Sequence, residues 1–302
     1  MEFDYQGGAC VKTALFRLNC PSPDHTGPAQ MSLSQSRSGA GLTAENAYFV
    51  VEFSDPLAFG GASPTYISNG LRVGYGHRIR PLQSMTFQDG LNRGFILGDP
   101  DGIIETPTNV TLTFMQPMLW MGTLKKYGAG TFAHGGKYAP RFMMSWNENP
   151  AAYIGTGTNR VAVYEGAVRA LSTNAFDGVE FRFFGGSLQI GVDPDETGGS
   201  VEALRKYGLV DVKIPSPFVS DNADGRIALT FDPGQRDWEN FGRVRAAVCT
   251  VRDEATARAL LAVFRPLTPK GIGARLSAAA NDLGTWTVSA DVGHEGFMVI
   301  VR

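Results

Sequence analysis

The sequence predicts an all-β protein, mainly antiparallel, built from β-sandwich or jelly-roll modules with two short helices. Apolar and polar residues alternate through most of the 302 residues, and 37 Gly and 17 Pro interrupt the pattern. Alternation places successive side chains on opposite faces of a strand. Gly and Pro are disfavoured inside helices, so their abundance argues against a helical bundle.

In the first half of the chain, strands are predicted at residues 48–53, 71–80, 110–114 and 142–146. The second of these follows the turn dipeptide Asn69-Gly70, and it places Arg72, Arg78 and Arg80 on one face. The strand at 110–114 contains Thr111 and Thr113, which suit a pleated surface.

In the second half, strands are predicted at residues 161–164, 227–231, 244–248, 286–290 and 297–301. Residues 179–183 and 188–192 flank Gly185-Gly186 and predict a β-hairpin. Ten or more strands with turn signals between them are typical of a sandwich, jelly roll or barrel.

Only two segments have a helical pattern. Ser200 can cap a helix over residues 201–207, and Asp253 can begin a second over 254–264. Because parallel sheets are usually connected by helical crossovers, two short helices argue against a doubly wound fold and against a (β/α) barrel.

No repeat of fixed period is evident in the sequence. Turn residues cluster between positions 149 and 159, and they predict an N-terminal β domain at 1–155 and a C-terminal β domain at 156–302. A single large β domain is the alternative.

The first residues, the apolar runs and the net charge limit the expected cellular location and partners. Met1-Glu2-Phe3-Asp4 has no basic segment before an apolar run, so we expect cytoplasmic synthesis without a signal peptide. No run approaches the length of a membrane span. A net charge of −2 gives no general indication of nucleic-acid binding.

The three cysteines, Cys10, Cys20 and Cys249, show no C-x-x-C spacing. An odd number cannot all pair within one chain, so we expect buried free thiols. A bridge between Cys10 and Cys20, or between subunits, is the alternative.

No metal site or cofactor is predicted. Acidic turns at residues 99–102, 193–196 and 220–225 could supply oxygen ligands to calcium, but Asp, Asn and Gly favour turns for backbone reasons alone. The four histidines have no zinc-ligand spacing. Residues 128–133 match a dinucleotide-binding pattern without the strand and helix that it requires.

Trp146-Asn147-Glu148 resembles the segment that carries the acid/base of many retaining glycosidases, which implies that role for Glu148. Those enzymes are (β/α) barrels and continue Asn-Glu-Pro, whereas Asn149 stands before Pro150 here. A carbohydrate-active β-sandwich protein, either a binding module or a glycosidase using Glu148, is therefore the alternative function.

The face with Arg72, Arg78 and Arg80 is predicted to be a solvated outer face or a row of salt bridges between subunits. Together with Cys10 and Cys20, these arginines are the interface candidates. No catalytic residue is assigned.

The predicted function is that of a self-assembling structural protein, in particular a virion component such as a bacteriophage capsid or tail/spike protein. Only 19% of the residues are charged, against about 25% in soluble domains, and charged residues are depleted from interface cores. The expected partners are further copies of the chain and other particle proteins, and the expected location is a virion or other assembled particle.

Overall fold

The architecture is given by a computed structural model of the 302-residue chain. It describes residues 13–18, 48–64, 67–74, 76–97, 101–116, 118–120, 122–135, 160–171, 175–176, 179–192, 218–234, 237–240 and 242–294.

The largest sheet, here called sheet 1, has eight strands, all paired in parallel. In spatial order they are β1 (Thr13–Leu18), β2 (Tyr48–Phe53), β4 (Arg78–Pro81), β7 (Asp101–Glu105), β10 (Thr123–Tyr127), β12 (Arg160–Val163), β14 (Glu180–Phe183) and β16 (Phe218–Ser220).

Two further parallel sheets accompany it. Sheet 2 contains β5 (Met85–Phe87), β8 (Thr111–Phe114), β11 (Thr131–His134), β13 (Ala167–Ala170), β15 (Ser187–Gly191), β17 (Ile227–Asp232) and β19 (Phe264–Leu267). Sheet 3 contains β3 (Ile67–Val73), β6 (Arg93–Leu97) and β9 (Met118–Trp120).

From β2 to β19, successive strands described along the chain lie in different sheets. The chain passes from β4 through β5 and β6 and returns to sheet 1 as β7, beside β4. Each such circuit is one turn of a coil, and the turns stack through parallel pairing. The described fold is therefore a parallel β-solenoid, and the prediction of mainly antiparallel sandwich or jelly-roll modules is wrong.

The crossover argument failed because, among the described residues, the strands of sheet 1 from β2 onward are followed by strands of the other sheets rather than by α-helices. A strand of sheet 1 reaches its parallel neighbour by way of strands in the other sheets. The strands of sheet 1 from β4 onward begin at residues 78, 101, 123, 160, 180 and 218, so the turns differ in length from 20 to 38 residues. This variation is why no fixed period is evident in the sequence.

The predicted hairpin around Gly185-Gly186 is a corner of the solenoid. β14 belongs to sheet 1 and β15 to sheet 2, and each pairs in parallel with strands of the adjacent turns. Glycines are needed at such corners because the backbones of neighbouring turns nearly touch. At the corner between β12 and β13, for example, a Cβ on Gly166, whose φ is +64°, would lie 2.2 Å from the carbonyl oxygen of Gly130.

A second corner is stabilised by the buried side chain of Lys126. Its Nζ donates to the carbonyl oxygens of Tyr127 at 2.8 Å, Gly128 at 2.7 Å and Glu165 at 3.2 Å. Burial lowers the pKa of Lys126 to about 7, although the charges of Glu165 and Glu105 act in the opposite direction. The side chain thus links two consecutive turns.

The interior is filled by alternate residues of each strand, whose side chains face inward. Phe87, Phe114 and Phe132 come from three consecutive turns, and the first two rings stack at a centroid distance of 4.8 Å. Phe176 continues the column in contact with Phe132. One continuous apolar core extends from the second turn into the C-terminal elements.

The C-terminal elements include the antiparallel cap sheet, in the order β18 (Val244–Val251), β21 (Trp286–His294) and β20 (Ile272–Ala280). Helix α1 (Glu254–Val263) packs against all three strands. Asp253 caps it by accepting a hydrogen bond from Thr256 N at 2.8 Å, as the sequence predicts. Short 3-10 helices lie at Pro56–Phe59, Asp89–Leu91 and Trp238–Asn240.

The predicted helix at 201–207 and the predicted strands at 142–146 and 297–301 lie outside the described residues, as does the proposed domain boundary at 155/156. On either side of that boundary the same sheets continue, since β10 pairs with β12 and β11 pairs with β13.

Candidate interface surface

The outward side of sheet 1 carries a row of alternating charges, which we call the charge ladder: Arg17, Glu52, Arg80 and Glu105. The parallel register places one of these residues on each of four successive strands. Arg17 Nη2 lies 2.6 Å from Glu52 Oε2, and Arg80 donates to Glu52 Oε1 and Glu105 Oε1, both at 2.9 Å. Each charged side chain therefore forms an ion pair with a residue of the turn above or below it.

Arg78 lies beside the charge ladder and is joined to it through Glu105. Its Nη1 lies 3.1 Å from Glu105 Oε2, so Glu105 bridges two arginines as Glu52 does. Burial raises the pKa of Glu52, but hydrogen bonds from Arg17 and Arg80 outweigh burial and hold the pKa below its usual value. Glu52 therefore stays ionised at neutral pH and stabilises the stack.

Three aromatic side chains continue the same row along the later turns. The rings of Tyr127 and Tyr164 are 4.6 Å apart at an interplanar angle of 4°, and those of Tyr164 and Phe184 are 4.6 Å apart at 6°. The guanidinium carbon of Arg78 lies 5.4 Å from the Tyr127 ring centroid and joins this aromatic ladder to the charge ladder.

The rings of the aromatic ladder stack on one another, so neighbouring rings cover each other's faces. The stack therefore stabilises the pairing of consecutive turns.

A second set of ion pairs lies beside the two ladders. Lys125 pairs with Asp101 at 3.3 Å, and Arg160 pairs with Glu180 at 2.7 Å. Arg182 Nε lies 3.1 Å from Asp221 Oδ2. Arg160 and Glu180 are partners in register, whereas the other two pairs join residues that are offset along adjacent strands, so these outward charges of sheet 1 are used within the molecule.

The arginines singled out in the sequence are separated by the fold. Arg78 and Arg80 lie in β4 of sheet 1, but Arg72 lies in β3 of sheet 3. In place of the expected single strand, β3 ends at Val73 and β4 begins at Arg78, and Gly76 between them has a φ of +78°. Their role between subunits stays a prediction. Cys10, Cys20, Trp146 and Glu148 lie outside the described residues.

The partners Glu52 and Glu105 were missed by sequence reasoning. They are 28 and 25 residues away from Arg80, and the only local signal is that each occupies an outward position of an alternating segment. Knowledge of the parallel register would have been needed to connect them.

Cys249 is a buried free thiol, as predicted, and burial raises its pKa. In the acidic segment at 220–225, Asp221 and Asp224 bind Arg182 and Arg265. Within the described ranges, no three His, Cys, Asp or Glu side chains lie together so as to hold a metal ion.

The described part of the chain contains no helix that combines the length and the apolar character needed to cross a bilayer. Fold and surface together define the class as a parallel β-solenoid with an antiparallel C-terminal cap. Comparison with protein-family models, curated proteins and solved structures gave no match to the chain.

Proposed function

We propose that the protein is a self-assembling structural component that acts through subunit interfaces rather than by catalysis. A virion component such as a bacteriophage tail or spike subunit is the specific setting we propose. The observation that carries the proposal is the difference between the two ends of the solenoid.

The C-terminal end is covered by α1 and the cap sheet, which share the apolar core. At the N-terminal end, β1 pairs with β2 on one side, and no other described strand pairs with it. Leu15 in this strand is 54% exposed. An unpaired parallel edge with an apolar side chain favours pairing with another chain.

The use of charge supports the same proposal. The charge ladder binds its members to each other along the axis, and two buried groups with shifted pKa values, Glu52 and Lys126, bind structural partners. This pattern stabilises a stiff rod, which is a suitable building block for an assembly.

The carbohydrate-active alternative has no supporting observation. Its β-sandwich form is excluded by the parallel sheets. Glu148 lies outside the described residues, and the facing sides of neighbouring rings in the aromatic ladder cover each other.

The test is the native mass of the full chain, measured by light scattering on a sizing column. The proposal expects a multiple of 32.5 kDa for the wild-type protein and a smaller species for Leu15→Arg. Leu283→Arg is the matched control, since Leu283 is 74% exposed at the tip of the β20–β21 hairpin, far along the chain from β1. Circular dichroism confirms folding of both variants.

A 32.5 kDa monomer for the wild-type protein at every concentration contradicts the proposal. An unchanged mass for Leu15→Arg, or an equal effect of Leu283→Arg, shows that the first strand is not the interface.

A further inference from the structure

The C-terminal unit differs in charge from the rest of the chain. Residues 242–294 contain seven Lys and Arg against four Asp and Glu, a net charge of +3, whereas the whole chain has −2. The remaining residues therefore carry −5, so the segment that contains the cap sheet is the more positive part of the chain.

The cap sheet has two unlike faces. One face, which includes Val288, Ala290 and Val292, is buried in the common core. The register places Arg245, Asp291 and Arg275 side by side on the opposite face. We call this opposite side the arginine face; it also includes Arg243 at the start of β18.

Arg245 lies across the central strand of this face. It is on β18, yet its Nη2 donates to Ser277 Oγ on β20 at 3.1 Å. Its path over β21 accounts for the burial of Ser289, a small residue at an outward position of that strand. Only part of the guanidinium is used by Ser277, so further N–H groups are available to a ligand.

The other two arginines are exposed and weakly engaged. Arg243 Nη2 lies 3.7 Å from Asp291 Oδ1, with 55% of the Arg243 side chain exposed. Arg275 is exposed and forms no ion pair with the residues that the structure describes. Asp291 is the sole acid at the outward positions of the three strands, so two positive charges are in excess.

We propose that the arginine face binds an anionic polysaccharide. Guanidinium groups pair with carboxylate and sulfate groups in a bidentate manner. Arg245 and Arg275 stand on strands that flank β21, so their backbones are about 10 Å apart and can meet charged groups repeated along a polymer.

The rest of the face favours this ligand over other polyanions. The remaining outward residues on the three strands are Gly, Ala, Ser and Thr. Their hydroxyl groups can bond to sugars, but they offer no aromatic ring for nucleic-acid bases and no large apolar side chain for insertion into a bilayer. This proposal is independent of self-assembly.

The test uses the full chain in affinity electrophoresis through gels containing polygalacturonate or dextran sulfate, with neutral dextran as the control polymer. We expect retardation by at least one anionic polymer, no retardation by dextran, and weaker binding as salt is raised. The variant with both Arg243→Gln and Arg275→Gln is expected to bind at least tenfold more weakly.

Arg258→Gln is the matched control, because Arg258 is an exposed arginine on α1 that pairs with Glu254. It should bind within twofold of the wild-type protein, and thermal melting confirms that all variants fold. No retardation of the wild-type protein, or an equal loss in Arg258→Gln, overturns the proposal. Equally tight binding to a single-stranded oligonucleotide or to anionic lipid vesicles through the same arginines overturns the choice of partner.

Discussion

At the scale of single residues, Lys126 shows how a buried charged side chain can stabilise a corner of the solenoid. Its ammonium group donates to three carbonyl oxygens from two consecutive turns. The charge is stabilised by those dipoles and destabilised by burial, and the lowered pKa of about 7 reflects the larger effect of burial.

Replacement of Lys126 by Met should therefore destabilise the fold at pH 7. The methyl group keeps the packing but leaves carbonyl oxygens without their donor, at a cost of about 2 kcal/mol. Denaturant unfolding measures the change. Lys125→Met, which alters a partly exposed pair with Asp101, should cost less than about 1 kcal/mol. Equal effects of the two variants would contradict the role of Lys126.

Burial of His134 makes the stability of the solenoid depend on pH. It is fully buried, and its Nδ1 donates to the carbonyl oxygen of Phe114 at 3.0 Å. Burial lowers the pKa of His134 to about 4, against 6.5 in a free side chain, and the hydrogen bond only partly opposes this change.

As pH falls from 6.5 to 4, the unfolded chain takes up a proton that folded His134 does not. The free energy of unfolding should therefore fall across this window by about 3 kcal/mol from this residue, and no further below pH 4. His134→Asn retains a donor and removes the titration, so its unfolding curves should depend less on pH by that amount. Parallel pH profiles for the two proteins would show that His134 does not titrate as described.

At the scale of elements, the corners decide whether two turns can stack. Gly166 has a φ of +64°, and a Cβ there would lie 2.2 Å and 2.3 Å from the carbonyl oxygens of Gly130 and Gly128. Gly225 has a similar φ of +65° but open space around it. Substitutions at these two glycines therefore distinguish the cost of backbone strain from the cost of a collision between turns.

Gly225→Ala should cost about 1 kcal/mol, the strain of a left-handed backbone alone. Gly166→Ala should cost about 3 kcal/mol or more, because the collision adds to that strain. Thermal or denaturant unfolding of the two variants gives the difference. A similar loss in both would mean that the turns at Gly166 are farther apart than described.

The positions of α1 and of some strands, such as β8 and β17, could be predicted from sequence, whereas other strands, such as β7 and β20, were missed. The partners of the strands could not be predicted. Alternation marks Thr111–Phe114 and Ile227–Asp232 because each buries one face, whether its neighbours are parallel or antiparallel. Gly185-Gly186 suits a hairpin and a solenoid corner equally, since both need a tight change of direction. The hydrophobic pattern alone does not distinguish them.

The candidate surface was predictable to a similar extent. Arg78 and Arg80 were correctly placed on an outward face by alternation. Their pairing with Glu52 and Glu105 depends on turns of unequal length that bring distant segments into register, and this is not encoded by any local pattern.

At the scale of the whole molecule, the described turns stack into a solenoid whose C-terminal end is covered by α1 and the cap sheet. Stability in such a fold comes mainly from contacts between neighbouring turns, which here are the apolar core, the charge ladder and the aromatic ladder. The proposed assembly and the proposed polysaccharide site use different parts of the solenoid, so each can fail without the other.

Parallel stacking is tested most directly by distances measured between spin labels on sheet 2. Thr86, Gln189, Thr230 and Leu267 occupy one outward column, with Gln189 four strands, Thr230 five strands and Leu267 six strands from Thr86. Labels are attached to cysteines at these positions, with Cys10 and Cys20 replaced by Ser and Cys249 by Ala. Pulsed electron paramagnetic resonance then measures each pair that includes Thr86.

The parallel solenoid predicts distances of about 19, 24 and 29 Å, rising by one strand spacing of about 4.8 Å at each step. Distances that do not rise in this order would contradict the stacked parallel turns.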